Sequence, residues 1–314
     1  MMKKPSVVLF VLWVLVGSLA AQETVRTSGP ATTQVPTDRI KVRVDLVNVL
    51  MTVTNKKNRL ENDLAKDDFR VFEDAKPQTI RYFSRETNLP LRIGVLVDTS
   101  SSIRDRLRFE QEAAIDFLST TLRPGKDSAF VVAFDVRTQL VQDYSDDLEK
   151  LSEAIRSVLA GGVTALYDAI YFSCRQKMLI FPPPEPYLRR VLIIISDGED
   201  NQSEHTREEA LAMAQRSEVT IFAISTNATG LPVRGDKVLR RLAEQTGGRA
   251  YFPFKASETT ANFQEIAREL RSQYSLAYIS TNQAHDGTFR TIHIEPLQRS
   301  LQVRAKPGYF APSE

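Results

Sequence analysis

One cysteine, Cys174, three histidines and one tryptophan are all that this 314-residue chain holds of those residue types. A single thiol excludes an intrachain disulfide framework and any zinc site built on several thiolates. His205, His285 and His293 are scattered and no H-E-x-x-H occurs, so no histidine cluster for catalysis is visible. An excess of charge is missing too. The 41 Lys+Arg stand against 39 Asp+Glu, which is not the basic balance of a nucleic-acid binder. Neither G-x-S-x-G nor a Walker A glycine–lysine loop is present. What remains is the composition of a folded chain, long enough for one large domain plus a small one or for two medium ones.

Residues 7–16 form the longest unbroken apolar run. They follow a basic start with Lys3 and Lys4 and precede the small residues Gly17-Ser18-Leu19-Ala20-Ala21. This is the layout of a secretory signal peptide, residues 1–21, cut after Ala20 or Ala21. An uncleaved anchor is the alternative, but the run is short for a membrane span of about 20 residues. No cysteine follows for a lipid anchor, and no later segment reaches transmembrane length. The expected location is exported, periplasmic or extracellular. Cleavage removes Lys3, Lys4 and Trp13, leaving a formally neutral, tryptophan-free chain.

Residues 22–39 are rich in Thr, Ser, Pro and Gln and read as a flexible linker. Residues 40–88 read as a small β module. Ile40, Val42, Val44 and Leu46 alternate, then the phase flips to Val47, Val49, Met51 and Val53, as at a bulge or twist. Strand candidates 69–73 and 78–83 flank Asp74-Ala75-Lys76-Pro77.

Residues 89–272 change rhythm. Apolar strands at 91–97, 129–134, 191–195 and 219–224 alternate with helical stripes such as Leu107, Ala114, Leu118 and Leu122. Thr138 opens an edge-strand candidate, Ser145 is placed to cap the next helix, and Thr206 with Glu209 forms a capping-box pattern. The alternation predicts an α/β fold, a doubly wound, mostly parallel sheet with helices on both faces. Residues 273–314 return to β, with strands at 274–279, 289–294 and 301–305 and an Asp286-Gly287 turn between the first two. Two incomplete β halves flanking one α/β domain predict a single β-sandwich formed from both; two separate β appendages are the alternative.

In such sheets ligands bind beyond the carboxyl ends of the strands. The first strand ends in Asp98-Thr99-Ser100-Ser101-Ser102, a later loop reads Gly161-Gly162-Val163-Thr164, and the 191–195 strand ends in Ser196-Asp197-Gly198. Two carboxylates and three hydroxyls are an oxygen-only donor set, suited to a hard divalent cation with a position left open.

These three segments, D-T-S-S-S, G-G-V-T-A-L-Y-D-A and I-I-S-D-G-E-D, resemble the metal-site segments of the von Willebrand factor type A (VWFA) domain family. Position by position, the resemblance implies Asp98, Ser100, Ser102, Thr164 and Asp197 as the residues of a metal-ion-dependent adhesion site, with Mg²⁺, or Mn²⁺ or Ca²⁺, as the cofactor. The flanks, with 67–74, Tyr278, 286–290 and 308–310, resemble the exported acidobacterial-type VWFA-related proteins. The function implied is non-enzymatic: a metal-dependent adhesion module that binds a protein partner presenting an Asp or Glu carboxylate, with no nucleic-acid ligand.

Two other functions compete. One is a structural envelope protein whose metal only stabilises the fold. The other is a Mg²⁺-dependent phosphatase with Asp98 as nucleophile, weakened because Ser100 stands where the haloacid dehalogenase pattern needs a second Asp. Taken singly, Asp98, Ser100 and Ser102 could be helix-terminal or capping residues. Asp168 reads as a structural partner, Glu199 and Asp200 as field or solvated charges, Cys174 as an apolar filler, and Arg189-Arg190 and Arg240-Arg241 as solvated. Asn201-Gln202-Ser203 and Asn227-Ala228-Thr229 match glycosylation sequons, which arise often by chance.

Overall fold

A computed structural model describes residues 46–101, 104, 106–179, 188–227, 229 and 231–313. The export signal, the linker, the first alternating run up to Val44, and Ser102 lie outside the described residues. Among the described residues no helix is long and apolar enough to cross a membrane.

Three sheets carry the fold. The central one has six strands in the order β10-β9-β8-β5-β6-β7. These are β5 (Leu91–Asp98), β6 (Ser128–Phe134), β7 (Thr138–Ser145), β8 (Arg189–Ser196), β9 (Val219–Ser225) and β10 (Ala250–Tyr251). All neighbours pair in parallel except β6 with the antiparallel edge strand β7. Buried on both faces, β5, β6, β8 and β9 are near-continuous apolar runs, which is why they stand out in the sequence.

Helices cover each face. One core packs α1 (Leu107–Thr121), α2 (Leu148–Ser157) and α6 (Ala256–Glu269) through Leu118, Ile155 and Phe263. The other packs α3 (Leu166–Phe172), α4 (Arg207–Arg216) and α5 (Arg234–Glu244) through Ile170, Ala210 and Leu239. Cys174 is buried in this second core, in a π-helical segment (Ser173–Met178) that continues α3. Thr206 and Glu209 do form a capping box on α4. The cap of α2 is Asp147, not Ser145: pairing of Ser145 with Ala129 extends β7 to that residue, so the helix starts later.

The flanking segments form the two layers of one sandwich. The first sheet runs β13-β1-β11-β4, with β1 (Leu46–Asn55), β4 (Ile80–Glu86), β11 (Gln273–Ile279) and β13 (Leu301–Ala305). The second runs β14-β12-β2-β3, with β2 (Phe69–Glu73), β3 (Lys76–Gln78), β12 (Phe289–Pro296) and β14 (Gly308–Phe310). Each sheet joins strands from before and after the α/β domain, so two separate appendages are excluded. Val49, Met51, Val71, Tyr274, Leu276, Tyr278 and Ile294 share one core between them. The sequence places Asp286-Gly287 as a hairpin-type turn between two strands, but the strands on either side of it do not pair. Its loop carries the chain from β11 in one sheet to β12 in the other. A turn signal fixes where the chain reverses, not which strand it then meets.

The chain crosses between sandwich and α/β domain twice, after β4 and after α6, and buried charges clamp both crossings. Arg189 is not solvated, as the sequence suggested, but 1% exposed. Its guanidinium donates to the carbonyl of Leu270 at the C-terminal end of α6 and to that of Glu86 at 3.4 Å. Carbonyls at a helix C-terminus lack intrahelical donors and carry the negative end of the helix dipole, which is what draws a cation to Leu270. Burial pushes the Arg189 pKa down to about 10, and the nearby Arg271 charge adds to this. Asp127 makes the second clamp. Its carboxylate accepts from the Leu91 N–H at 2.8 Å, Arg123 Nε at 2.8 Å and Arg271 Nη2 at 2.6 Å.

Candidate metal centre

In the central sheet the chain winds outward from β5 through β6 to β7, then returns to β8 and winds the other way. The point of reversal lies between β5 and β8, and a crevice opens there because the loops leaving the two strands diverge to opposite faces. Asp98 is the last residue of β5, and Asp197 follows the last residue of β8. Topology alone therefore brings the two carboxylates to one crevice.

The loops are tied down individually. Asp98 Oδ1 accepts from the Ser100 N–H at 2.8 Å, and Oδ2 accepts from Ser196 Oγ at 2.6 Å. The Thr99 N–H donates to the Phe134 carbonyl at 2.9 Å, holding this loop to β6. The glycine loop lies across it: the Gly161 N–H donates to the Thr99 carbonyl at 2.6 Å and the Ser101 N–H to that of Gly162 at 3.2 Å. Thr164, at the end of that loop, accepts on its carbonyl from Asn201 and Gln202, residues of the third loop. Asp197 Oδ1 accepts from the Glu199 N–H at 3.0 Å. Asp98, Ser100, Thr164 and Asp197 thus share one edge of the sheet, on three loops that bond to each other.

Gly198 shows why a glycine is needed beside Asp197. Its φ is +79°, and a Cβ there would stand 2.3 Å from the Gly235 carbonyl oxygen at the start of α5. We expect Gly198→Ala to cost about 1–3 kcal/mol through this overpacking, measured as a lower urea midpoint at unchanged slope.

Electrostatically the crevice is a sink for a cation. Asp98 is fully buried, and among the described residues it forms no ion pair with Lys or Arg. Burial pushes its pKa up to about 6, against the pull of the Ser196 and Ser100 hydrogen bonds, and the Asp197 charge adds to the rise. Glu110 on α1 is also buried, with Arg106 Nε 3.7 Å away. Burial pushes it up to about 7, Arg106 opposes this, and the charges of Asp98 and Asp197 push further.

Sequence reasoning assigned no role to Glu110 or to Ser196. Glu110 interrupts the apolar stripe of α1 at helical spacing from Leu107 and Ala114, and that interruption is its signal. Ser196 had none beyond adjacency to Asp197. Its role is to fix Asp98, and its Oγ also accepts from the Gly198 N–H at 3.0 Å. Asp168 is a structural partner: it accepts from the Glu204 and His205 N–H groups and lies 2.6 Å from His205 Nδ1. Glu199 and Asp200 are not simply solvated. Glu199 Oε1 accepts from the Gly235 N–H at 3.0 Å, and Asp200 Oδ2 from that of Tyr167 at 3.1 Å.

Among the described residues no three His, Cys, Asp or Glu side chains gather to hold a metal. The donor set here is two carboxylates with neutral hydroxyls, and a buried carboxylate with no cationic side chain beside it. That chemistry fits a hard divalent ion and not a soft one.

Residues 93–269 match the von Willebrand factor type A domain. A search of the curated proteins finds no match. Among solved structures the chain is similar to proximal thread matrix protein 1 of the mussel byssus with a zinc-occupied MIDAS motif. Identity is 20% and the TM-score 0.51, over 63% of this chain and 50% of that one. It is also similar to the PilB minor pilin of Streptococcus sanguinis, at 12% identity and TM-score 0.47, over 58% of this chain and 61% of the pilin. A third is the vWF domain of the type V pili tip protein Mfa5 of Porphyromonas gingivalis, at 13% identity and TM-score 0.49, over 57% of this chain and 94% of that one. The chain thus spans about three fifths of the pilin's length and half of the mussel protein's.

Proposed function

The chain belongs to the von Willebrand factor type A domain family, and we propose that it is an exported, metal-dependent protein-binding module. Its ion is held by Asp98, Ser100, Ser102, Thr164 and Asp197. The carrying observation is the buried, cation-free Asp98 placed opposite Asp197 at the sheet's reversal point. The zinc-occupied motif of the mussel protein agrees with this reading of the fold.

A bound divalent ion supplies a Lewis-acidic position open to an outside oxygen ligand. The chain's own residues do the rest. Asp98 and Asp197 supply two negative charges, so a third carboxylate from a partner completes the charge balance. Ser196 and the Ser100 N–H hold Asp98 in one orientation before any partner arrives, which lowers the ordering cost of binding. Around this edge stand exposed apolar side chains: Val136 after β6, Leu159 and Val163 in the glycine loop, and Leu231 after β9. Leu159 is 82% exposed. Such a rim suits burial against a protein surface. The partner is therefore a protein that presents an Asp or Glu side chain among apolar neighbours, outside the cytoplasm.

Affinity capture from envelope extract, with Mg²⁺ or with chelator, tests this. A partner retained with the ion and released by chelator is the expected result. Retention unchanged by chelator contradicts the proposal.

A further inference from the structure

Packing does not explain Glu110. It lies on the apolar face of α1, one turn from Leu107 and one from Ala114, and like them it is buried. A leucine or alanine there would fill the core without desolvating a charge. Oε2 has no hydrogen-bond partner among the described residues. The ion pair with Arg106 compensates weakly. Nε stands 3.7 Å from Oε1, beyond hydrogen-bond distance, and Arg four residues ahead of Glu is the less favourable order on a helix. A buried carboxylate so thinly satisfied is costly unless a further cation stands near.

Arg106 has a task of its own. Its Nη1 donates to the Thr226 carbonyl at 3.0 Å, just past the end of β9. The Thr226 N–H donates in turn to the Ser196 carbonyl at 3.0 Å, and Ser196 Oγ donates to Asp98 at 2.6 Å. Arg106 therefore straps α1 to the loop after β9, at the sheet edge that carries the metal centre. That strap brings a positive charge toward a cation site. Glu110 shares the same field, since the charges of Asp98 and Asp197 add to the rise in its pKa.

We infer that Glu110 is a charge-balancing residue of the metal centre, cancelling the Arg106 charge so that a divalent ion meets the full attraction of Asp98 and Asp197. It acts through Arg106 and is not a ligand. With Glu110 ionised, the strap is neutral as a unit. With a neutral side chain at this position, a lone guanidinium acts on the ion through a buried, low-dielectric region, where repulsion is strong. The role exists only if the crevice holds an ion, so it rests on that reading.

Calorimetric titration of the whole protein with magnesium, manganese or calcium chloride tests it. The titration is run at pH 8, where Glu110, pushed up to about 7, is ionised. Glu110→Gln keeps the shape of the side chain and should weaken ion affinity about tenfold. The double variant Glu110→Gln/Arg106→Gln removes both charges. It should recover to within about threefold of the wild type, a rescue that lost packing alone would not produce. Ion binding by the wild type with equal affinity in Glu110→Gln overturns the inference, as does a double variant that binds no better than the single one. Absence of ion binding by the wild type is a different result: it overturns the metal centre itself, and this role with it.

Discussion

Replacing Glu73 with alanine is expected to destabilise the protein by about 3–5 kcal/mol, the range for removing one partner from a buried charged network. Glu73 sits at the end of β2 and is 2% exposed. Its carboxylate accepts from Tyr278 Oη at 2.8 Å on β11, Ser280 Oγ at 2.5 Å and Tyr309 Oη at 3.0 Å on β14. Arg290 on β12, equally buried, lies 3.8 Å away. One carboxylate from the segment before the α/β domain therefore binds groups on both sheets from the segment after it. Without it, Arg290 keeps carbonyl and hydroxyl partners and one distant, partly solvated carboxylate, Asp286 at 4.0 Å. Equilibrium urea unfolding checks this. A loss under 1 kcal/mol would show that the sandwich does not depend on the network. Glu73→Gln, which keeps acceptor capacity but no charge, should fall between the two.

Asp127→Asn is the second large effect, at about 3 kcal/mol. This is the low end of the same range, because Arg123 and Arg271 are partly solvated. It has a pH signature as well. Burial pushes the Asp127 carboxyl up, but hydrogen bonds from Arg123, the Leu91 N–H and Arg271 outweigh it and hold the group down at about 2. A carboxylate with a depressed folded pKa stabilises fully above its ordinary value of 3.8 and loses that contribution as pH falls toward 2. The wild type should therefore lose about 2 kcal/mol more than Asp127→Asn between pH 4 and pH 2. Parallel pH profiles for the two proteins would contradict this role.

The sequence shows most plainly what depends on burial and period. β5, β6, β8 and β9 are legible because parallel strands covered on both faces must be apolar throughout. The places of Asp98 and Asp197 are legible because the first directly ends such a run and the second stands one serine beyond another. The residues of the Glu73 network also stood out, since 67–74, Tyr278, 286–290 and 308–310 are the flanking segments that the resemblance singled out. Their meeting in one buried cluster was not legible, because it depends on which strands share a sheet. Arg189 was misread because an Arg-Arg pair before a strand carries no mark of the helix end it will face. Ser145 lost its capping role to a ladder partner far away in sequence, Ala129. Glu110 and Ser196 act through neighbours that the fold supplies, and single-residue patterns do not encode neighbours. The export signal and Ser102 lie outside the described residues.

The central claim is that Asp98 and Asp197 hold a divalent ion, and metal-dependent stability measures it most directly. Unfolding of the protein is followed with and without Mg²⁺, Mn²⁺ or Ca²⁺. Asp98→Asn and Asp197→Ala are run in parallel, the first because the amide preserves the shape of Asp98 and an oxygen for the Ser100 N–H, with its NH₂ placed to donate to Ser196 Oγ. The account predicts about 2.7 kcal/mol of added wild-type stability at a hundredfold excess over Kd for at least one of these ions, and none in either variant. An equal gain in the variants, or no gain in the wild type with any of the three, contradicts it.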